Sequence, residues 1–134
     1  MNNYLRNNAY YVCLIPYKGK LNKKWTLVIG DKNENILKKV HFGSADMEDY
    51  TIHKDDKRKE NFLRRFNKLI QKNKTNPFSP MTLSHMILWN KKSLTDSFKD
   101  YAEKYNLKIF LDFGTPFCKR CKGSTYLKTK MLKY

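Results

Sequence analysis

The fold is decided by the stretch WTLVIGDKNENILKKVHF, residues 25–42. Its two ends, residues 25–29 and 36–42, are rich in β-branched and aromatic side chains, which is typical of strands. Between them lies a turn cluster of Gly, Asp and Asn residues that begins at Gly30. Two strands joined by such a short loop predict an antiparallel β-hairpin. The N-terminal half of the chain is therefore expected to build a sheet.

Two more strands are predicted outside the hairpin. Residues 9–17 contain the run Tyr-Tyr-Val-Cys-Leu-Ile and should end as a strand near Pro16, because proline cannot donate to the ladder of a sheet. Residues 107–113 form a final strand that ends at Gly114. Residues 50–53 are a candidate edge segment of the same sheet.

The main helix is predicted over residues 55–72. Asp55 or Asp56 can cap its first turn. Apolar residues follow at the spacing of one helical face, and they are Phe62, Leu63, Phe66, Leu69 and Ile70. Two further helices are predicted, over residues 81–89 after Ser79-Pro80 and from Ser93 onward.

These elements predict an α+β fold. We expect a small antiparallel sheet of three to four strands, with two or three helices packed on one face. A chain of 134 residues is long enough for one domain and too short for two ordinary ones. The prediction is a single basic domain over residues 1–134, in which residues 115–134 form a basic tail that carries two cysteines.

The charge of the chain indicates an acidic partner. The formal net charge is +16, from 28 Lys and Arg residues against 12 Asp and Glu residues. Self-repulsion at this charge costs stability, so a counter-charge is expected. Nucleic acid, an acidic protein surface and an anionic membrane surface are the alternatives. An A/T-rich genome would also enrich Lys and Asn, but it would not explain the scarcity of Asp and Glu.

The cations of the main helix collect opposite its apolar residues when they are placed at 100° per residue. The basic tail adds a second group. The residues predicted to bind an acidic partner or phosphate are Lys57, Arg64, Arg65, Lys68, Lys72, Lys119, Arg120 and Lys122.

Cys118 and Cys121 form a CxxC pair within the tail. Zinc commonly needs two such pairs, or one pair plus histidines. Here Cys13 and one of the three histidines, His41, His53 or His85, would have to complete the site through folding. Free thiols are the favoured interpretation, and structural zinc and redox chemistry are the alternatives. No other cofactor is predicted.

Catalytic and targeting motifs are absent from the sequence. It contains no GxSxG, no HExxH and no Walker Gly-Lys-Ser/Thr, so no catalytic residue is predicted and the protein is expected not to be an enzyme. It also lacks the signatures of sequence-specific nucleic-acid binders. No secretory signal and no transmembrane segment are predicted. An odd count of three cysteines fits a reducing compartment.

Several motifs between residues 25 and 105 occur in a distinctive order. They are VHFGS (40–44), DYTIHKD (49–55), Arg58-Lys59, Arg64-Arg65, Ser79-Pro80-Met81 and LWNK (88–91), followed by the segment from Leu94 to Tyr105. In this order and spacing, the chain resembles a family of short basic proteins encoded by giant, nucleocytoplasmic large DNA viruses. It departs from that family in two places. The segment after Gly43 is more acidic than in the family, and the helical segment that contains Arg58-Lys59 and Arg64-Arg65 ends differently, in Arg65-Phe66.

The resemblance implies a viral origin and carries no catalytic residues with it, because the family has no settled activity. It implies a minor capsid or virion-associated structural protein, located in the virion and in the host cytoplasm during assembly. Its partners would be other virion proteins, such as capsid subunits. The alternative is an accessory protein that binds nucleic acid through phosphates, without sequence specificity.

Overall fold

A four-stranded sheet forms one layer of the molecule. The computed structural model describes residues 3–33 and 35–110. Within them the strand order is β3-β2-β1-β4. The strands are β1 (Tyr11–Pro16), β2 (Lys23–Gly30), β3 (Ile36–Ser44) and β4 (Lys108–Phe110).

The predicted hairpin is confirmed. Strands β2 and β3 pair antiparallel, with Trp25 opposite Phe42 and Leu27 opposite Val40. Strand β1 also pairs antiparallel with β2. Strand β4, however, pairs parallel with β1, which makes the sheet mixed where an antiparallel one was predicted. The long connection between β1 and β4, which contains all the helices after β3, permits this parallel return.

Short helices form the second layer, and together with the sheet they confirm the α+β class. None of the helices in the described part of the chain has the length and apolar character that a membrane crossing requires. The α-helices are α1 (Asn3–Asn8), α2 (Tyr50–His53), α3 (Asp56–Arg65), α4 (Asn67–Asn73), α5 (Pro80–Leu83) and α6 (Leu94–Lys104), and a π-helical turn covers Ser84–Leu88.

The predicted main helix is broken at Phe66. This residue has φ −104° and ψ 12°, so α3 ends there and α4 begins with no side-chain cap. One continuous helix would keep Leu69 and Ile70 on the apolar face of α3. After the break, Ile70 is buried while Leu69 is 46% exposed. The break therefore separates two residues, Leu69 and Ile70, that were predicted to share one apolar face.

The prediction of an edge strand at residues 50–53 is wrong. The segment forms the single turn α2, because the Asp49 side chain accepts from the Thr51 amide at its start. The turn ends at Lys54, which adopts the left-handed conformation with φ 56°. The sequence prediction also missed α1, whose polar sequence contains one buried anchor, Leu5.

One hydrophobic cluster joins the two layers. Alternate residues of β1 and β2, among them Val12, Leu14, Leu27 and Ile29, enter it from the sheet. The π-helical turn and α6 supply most of the opposing side. Phe98 and Tyr101 of α6 are almost fully buried, and the Tyr101 hydroxyl donates to the Pro77 carbonyl at 2.6 Å. This packing fixes the position of the π-helical turn, which forms one wall of the candidate site.

Candidate binding site

The predicted cations of α3 are partly neutralised within the helix itself. The Lys57 ammonium lies 3.9 Å from a Glu60 carboxylate oxygen, and the Arg64 guanidinium lies 2.7 Å from it. All three side chains are exposed, so the pairs add little stability. They do reduce the charge that Lys57 and Arg64 present to a partner.

Three of the predicted cations have no carboxylate partner within the described residues: Arg65, Lys68 and Lys72. All three are exposed. Lys68 and Lys72 lie one turn apart on α4, while the Arg65 guanidinium lies 5.3 Å from the Phe66 ring centroid. These residues form the unpaired part of the cationic surface, and we call them the cationic ridge.

The other predicted binding residues, Lys119, Arg120 and Lys122, lie outside the described residues, as do Cys118 and Cys121. The third cysteine, Cys13, is buried in β1. Over residues 3–33 and 35–110, no three His, Cys, Asp or Glu side chains converge as metal ligands do. His41, for example, contacts the Thr26 hydroxyl through Nδ1 at 2.7 Å.

A half-open groove of about 490 Å³ runs beside α3. One wall is α3 and the residue that follows it, and the other is formed by α5 and the π-helical turn. One side of the groove is closed by residues 47–49 and by the open end of the β2–β3 hairpin, which lies opposite its turn. Its lining residues include Met47, Phe62, Arg65, Phe66, Met81 and Trp89.

Aromatic rings form much of the apolar surface of the groove. The rings of Phe62 and Trp89 stack with centroids 4.3 Å apart and planes 2° from parallel. The Phe66 ring lies 4.8 Å from Phe62. The π-helical turn sets this arrangement, since the Trp89 amide donates to the Ser84 carbonyl, five residues back, at 3.1 Å. Such turns occur frequently at functional sites.

Close packing at Gly43 shapes the end of the groove. Gly43 has φ +80°, and a Cβ atom placed there would lie 2.9 Å from the Leu88 side chain. Only glycine adopts this conformation readily and admits Leu88 so closely.

The carboxylates that line the groove are already paired. Asp49 is 2% exposed, and its Oδ2 lies 2.5 Å from the Lys24 ammonium. Glu48 Oε1 accepts from the Arg58 guanidinium at 3.1 Å. Arg65 is therefore the lining cation that has no anion among the described residues. The groove combines an apolar surface with one uncompensated positive charge.

A polar cluster outside the groove links α3 to α2 and to the residues that follow the π-helical turn. The Tyr50 hydroxyl donates to Asp56 Oδ1 at 2.5 Å, and Lys59 donates to the Asn90 carbonyl at 2.6 Å. The hydrogen bond from Tyr50, together with the charges of Lys92 and Lys59, lowers the pKa of Asp56. The same hydrogen bond raises the pKa of Tyr50. The motif DYTIHKD thus has mainly structural contacts.

The acidic segment after Gly43 is not gathered into a cation site. Asp46 accepts from the Asn22 amide at 2.7 Å, whereas Glu48 and Asp49 pair with different cations.

Sequence reasoning missed the groove, although it had listed most of its residues. Phe62 and Phe66 were assigned to the core, and Arg65 lay at the edge of the predicted cationic face. Both aromatic residues are only half-buried. The adjacency of Arg65 and Phe66 is no signal for a groove, because apolar and cationic residues are neighbours along the edge of any amphipathic helix.

A family model matches part of the chain. The model of a family of unknown function (DUF5754) matches residues 18–66, which is less than half of the chain. The matched part runs from the β1–β2 turn to Phe66 and includes Lys24, Asp49, Phe62 and Arg65 of the groove. No curated protein and no solved structure matches the chain.

Proposed function

We propose that this protein is a non-enzymatic structural protein of a virus particle, a minor capsid or virion-associated component that binds acidic surfaces of neighbouring proteins such as capsid subunits. The viral setting, in the virion and in the host cytoplasm during assembly, is proposed from the resemblance of residues 25–105. The acidic partner is proposed from charge: the net charge is +16.

The cationic ridge is the observation that best supports the proposal of an acidic partner. Arg65, Lys68 and Lys72 are exposed and have no carboxylate within the described residues, whereas Lys24, Arg58 and Arg64 each have one. Unpaired, exposed cations are available to an incoming anion without first breaking an internal ion pair. A protein partner is favoured because Arg65 of the ridge also lines an apolar groove, and protein interfaces combine apolar cores with polar rims.

The direct test is quantitative mass spectrometry of purified particles of the virus that encodes the chain. The protein is expected in the particles in a constant ratio to the main capsid subunit. Its absence from purified particles would overturn the structural role.

The cationic ridge can be tested with a variant in which Arg65, Lys68 and Lys72 are all changed to Ala. Its affinity for poly-L-glutamate, measured by fluorescence anisotropy at low salt, should fall by more than tenfold. The matched control removes three exposed lysines elsewhere, Lys20, Lys38 and Lys39. Equal losses in both variants would contradict a localised surface and would leave only the net charge as the cause.

Nucleic acid is a second candidate because Lys68 and Lys72 stand one turn apart and can contact successive phosphates. Binding of a DNA duplex should then weaken steeply with salt. The triple variant at Arg65, Lys68 and Lys72 should reduce the slope of log K against log salt by roughly 2 to 3. Since Lys57 and Arg64 pair with Glu60, their removal should change the slope less. No measurable DNA binding at low salt would rule this candidate out.

A further inference from the structure

We infer that the groove beside α3 binds a short segment of the acidic partner, in which a large apolar side chain enters between α3 and the π-helical turn and a neighbouring carboxylate pairs with Arg65. This inference rests on the proposed function and specifies how the partner is recognised. It concerns the groove, whereas the proposed function requires only the cationic ridge.

The apolar part of the groove is suited to one large side chain. A volume of about 490 Å³ lies in the range of ligand pockets, which is roughly 300 to 1,000 Å³. The Phe62 and Trp89 rings cover each other's facing surfaces, so their edges and outer faces are what an occupant of the groove can contact, and Met81 supplies a flexible side chain that adapts to different occupants. Met47, at the closed side, is 62% exposed and free of the core.

The charges at the groove specify an acidic occupant. Three cations and two carboxylates line it, and the two carboxylates are bound to Lys24 and Arg58. The remaining cation is Arg65, whose planar guanidinium can bind a carboxylate through two hydrogen bonds. A second copy of this chain would bring more positive charge to the same place, which disfavours self-association there.

A nucleic-acid strand fits the groove less well than a peptide. Its base could stack on Trp89, but its phosphates would follow at regular spacing along the mouth. Arg65 is the one lining cation without an anion among the described residues, so the groove does not offer a row of unpaired cations to a row of phosphates. A peptide can place one carboxylate at Arg65 and an apolar side chain in the groove, while its other carboxylates face solvent.

Trp89 provides a local reporter for the test. The chain has two tryptophans, and both pack against the hydrophobic cluster, but Trp89 also lines the groove while Trp25 does not. In a Trp25→Phe background Trp89 is the one remaining tryptophan, so a change in its emission when peptide is added reports on the groove. The probes are two capped hexapeptides of Glu residues that contain one central Phe or one central Ala.

The Phe peptide is expected to change the Trp89 emission and to bind at least about tenfold more tightly than the Ala peptide, because a buried Phe side chain gains enough transfer free energy for that factor. Arg65→Gln should weaken binding of the Phe peptide by roughly fivefold or more. Lys68 lies outside the groove lining, so Lys68→Gln should change little the ratio of the affinities for the Phe and Ala peptides. Circular dichroism of each variant checks that the fold is intact.

Other outcomes separate the two proposals. If the Phe and Ala peptides bind equally and Trp89 emission stays constant, the groove is not used, although the acidic partner survives. If neither peptide binds, both proposals fail. Binding of single-stranded oligo-dT that depends on Arg65, without a preference for the Phe peptide, would overturn the peptide inference in favour of nucleic acid.

Discussion

At the scale of single residues, Asp49 joins the sheet to the helical layer through one carboxylate. Its Oδ2 pairs with Lys24 of β2, and its Oδ1 accepts from the Thr51 amide at the start of α2. The side chains of Asp49 and Lys24 are 3% and 13% exposed. Removing one member of such a pair leaves the other as an uncompensated charge in a poorly solvated place.

Asp49→Ala is therefore expected to lower the free energy of unfolding by about 3 kcal/mol or more. The measurement is urea denaturation followed by circular dichroism. Asp46→Ala is the control, since Asp46 is exposed and its change should cost about 0.5 kcal/mol or less. Similar losses for the two variants would show that the Lys24 pair does not hold the layers together.

His85 of the π-helical turn should make stability depend on pH. Burial, followed by the charges of Lys104 and Lys59, lowers its pKa from the ordinary value of 6.5. Below pH 6.5, His85 therefore binds a proton more readily in the unfolded chain than in the folded chain. The free energy of unfolding should fall as the pH decreases from 6.5 through the lowered pKa of folded His85.

His85→Gln is expected to flatten this part of the pH profile, because the variant has no group to protonate there. Denaturation midpoints measured between pH 7 and pH 5 provide the test. An unchanged slope in the variant would assign the dependence to other groups.

At the scale of elements, α3 depends on the cap at its first turn. The Asp55 side chain accepts from the Lys57 amide at 2.9 Å and from the Arg58 amide at 3.2 Å. No residue of α3 is fully buried. Local contacts such as this cap are therefore important for holding the helix that carries Phe62 and Arg65.

Asp55→Ala should cost about 1 kcal/mol of stability, whereas Asp55→Asn should cost much less, because Asn caps helices as well as Asp does. Amide hydrogen exchange in α3 should accelerate in the Ala variant before that in α6. A uniform increase across both helices would contradict the local role of this cap.

Elements whose signals are local could be predicted from the sequence. The hairpin follows from strand composition around a Gly/Asp/Asn turn, and the capping residues Asp55, Ser79 and Ser93 all accept from amides as their sequence context indicated. The break at Phe66 could not be predicted, because the helical wheel assumes a constant rotation per residue. Packing of Phe62 and Phe66 beside Trp89, a residue distant in sequence, accompanies the change of direction.

The candidate site was predictable in its chemistry and not in its shape. The sequence contains the cations, and it cannot indicate that Glu60 neutralises two of them while Arg65 stays unpaired. The groove depends on a π-helical turn and on the approach of Leu88 to Gly43. Both arise from contacts between elements far apart in the chain.

At the scale of the whole molecule, the net charge of +16 opposes folding. The described cations exceed the carboxylates that pair with them, and exposed lysines such as Lys38 and Lys39 stand next to each other on β3. Salt screens such repulsion over about 10 Å at 0.1 M. The isolated protein should therefore be more stable at moderate than at low ionic strength.

Raising sodium chloride from 20 to 200 mM is expected to increase the thermal unfolding midpoint by a few degrees, as measured by differential scanning calorimetry. Sodium sulfate at matched ionic strength is the control. Because sulfate also stabilises folded proteins by exclusion from their surface, anion binding at the cationic ridge would be indicated by a larger sulfate effect in the wild type than in the triple Ala variant at Arg65, Lys68 and Lys72. A decrease in chloride would contradict net repulsion.

The parallel pairing of β1 with β4 has a consequence for the protein's synthesis. Strand β1 is an inner strand of the sheet, but one of its edges pairs with β4, so that Tyr11 has its partner only after Lys108 has been synthesised. At ribosomal rates of roughly 5 to 20 residues per second, the nascent chain carries one open edge of β1 for about 5 to 20 seconds. That edge, YVCLIP, contains no charged residue to discourage pairing with another chain. Newly made molecules are therefore most exposed to aggregation before β4 leaves the ribosome, and slower translation would lengthen that interval.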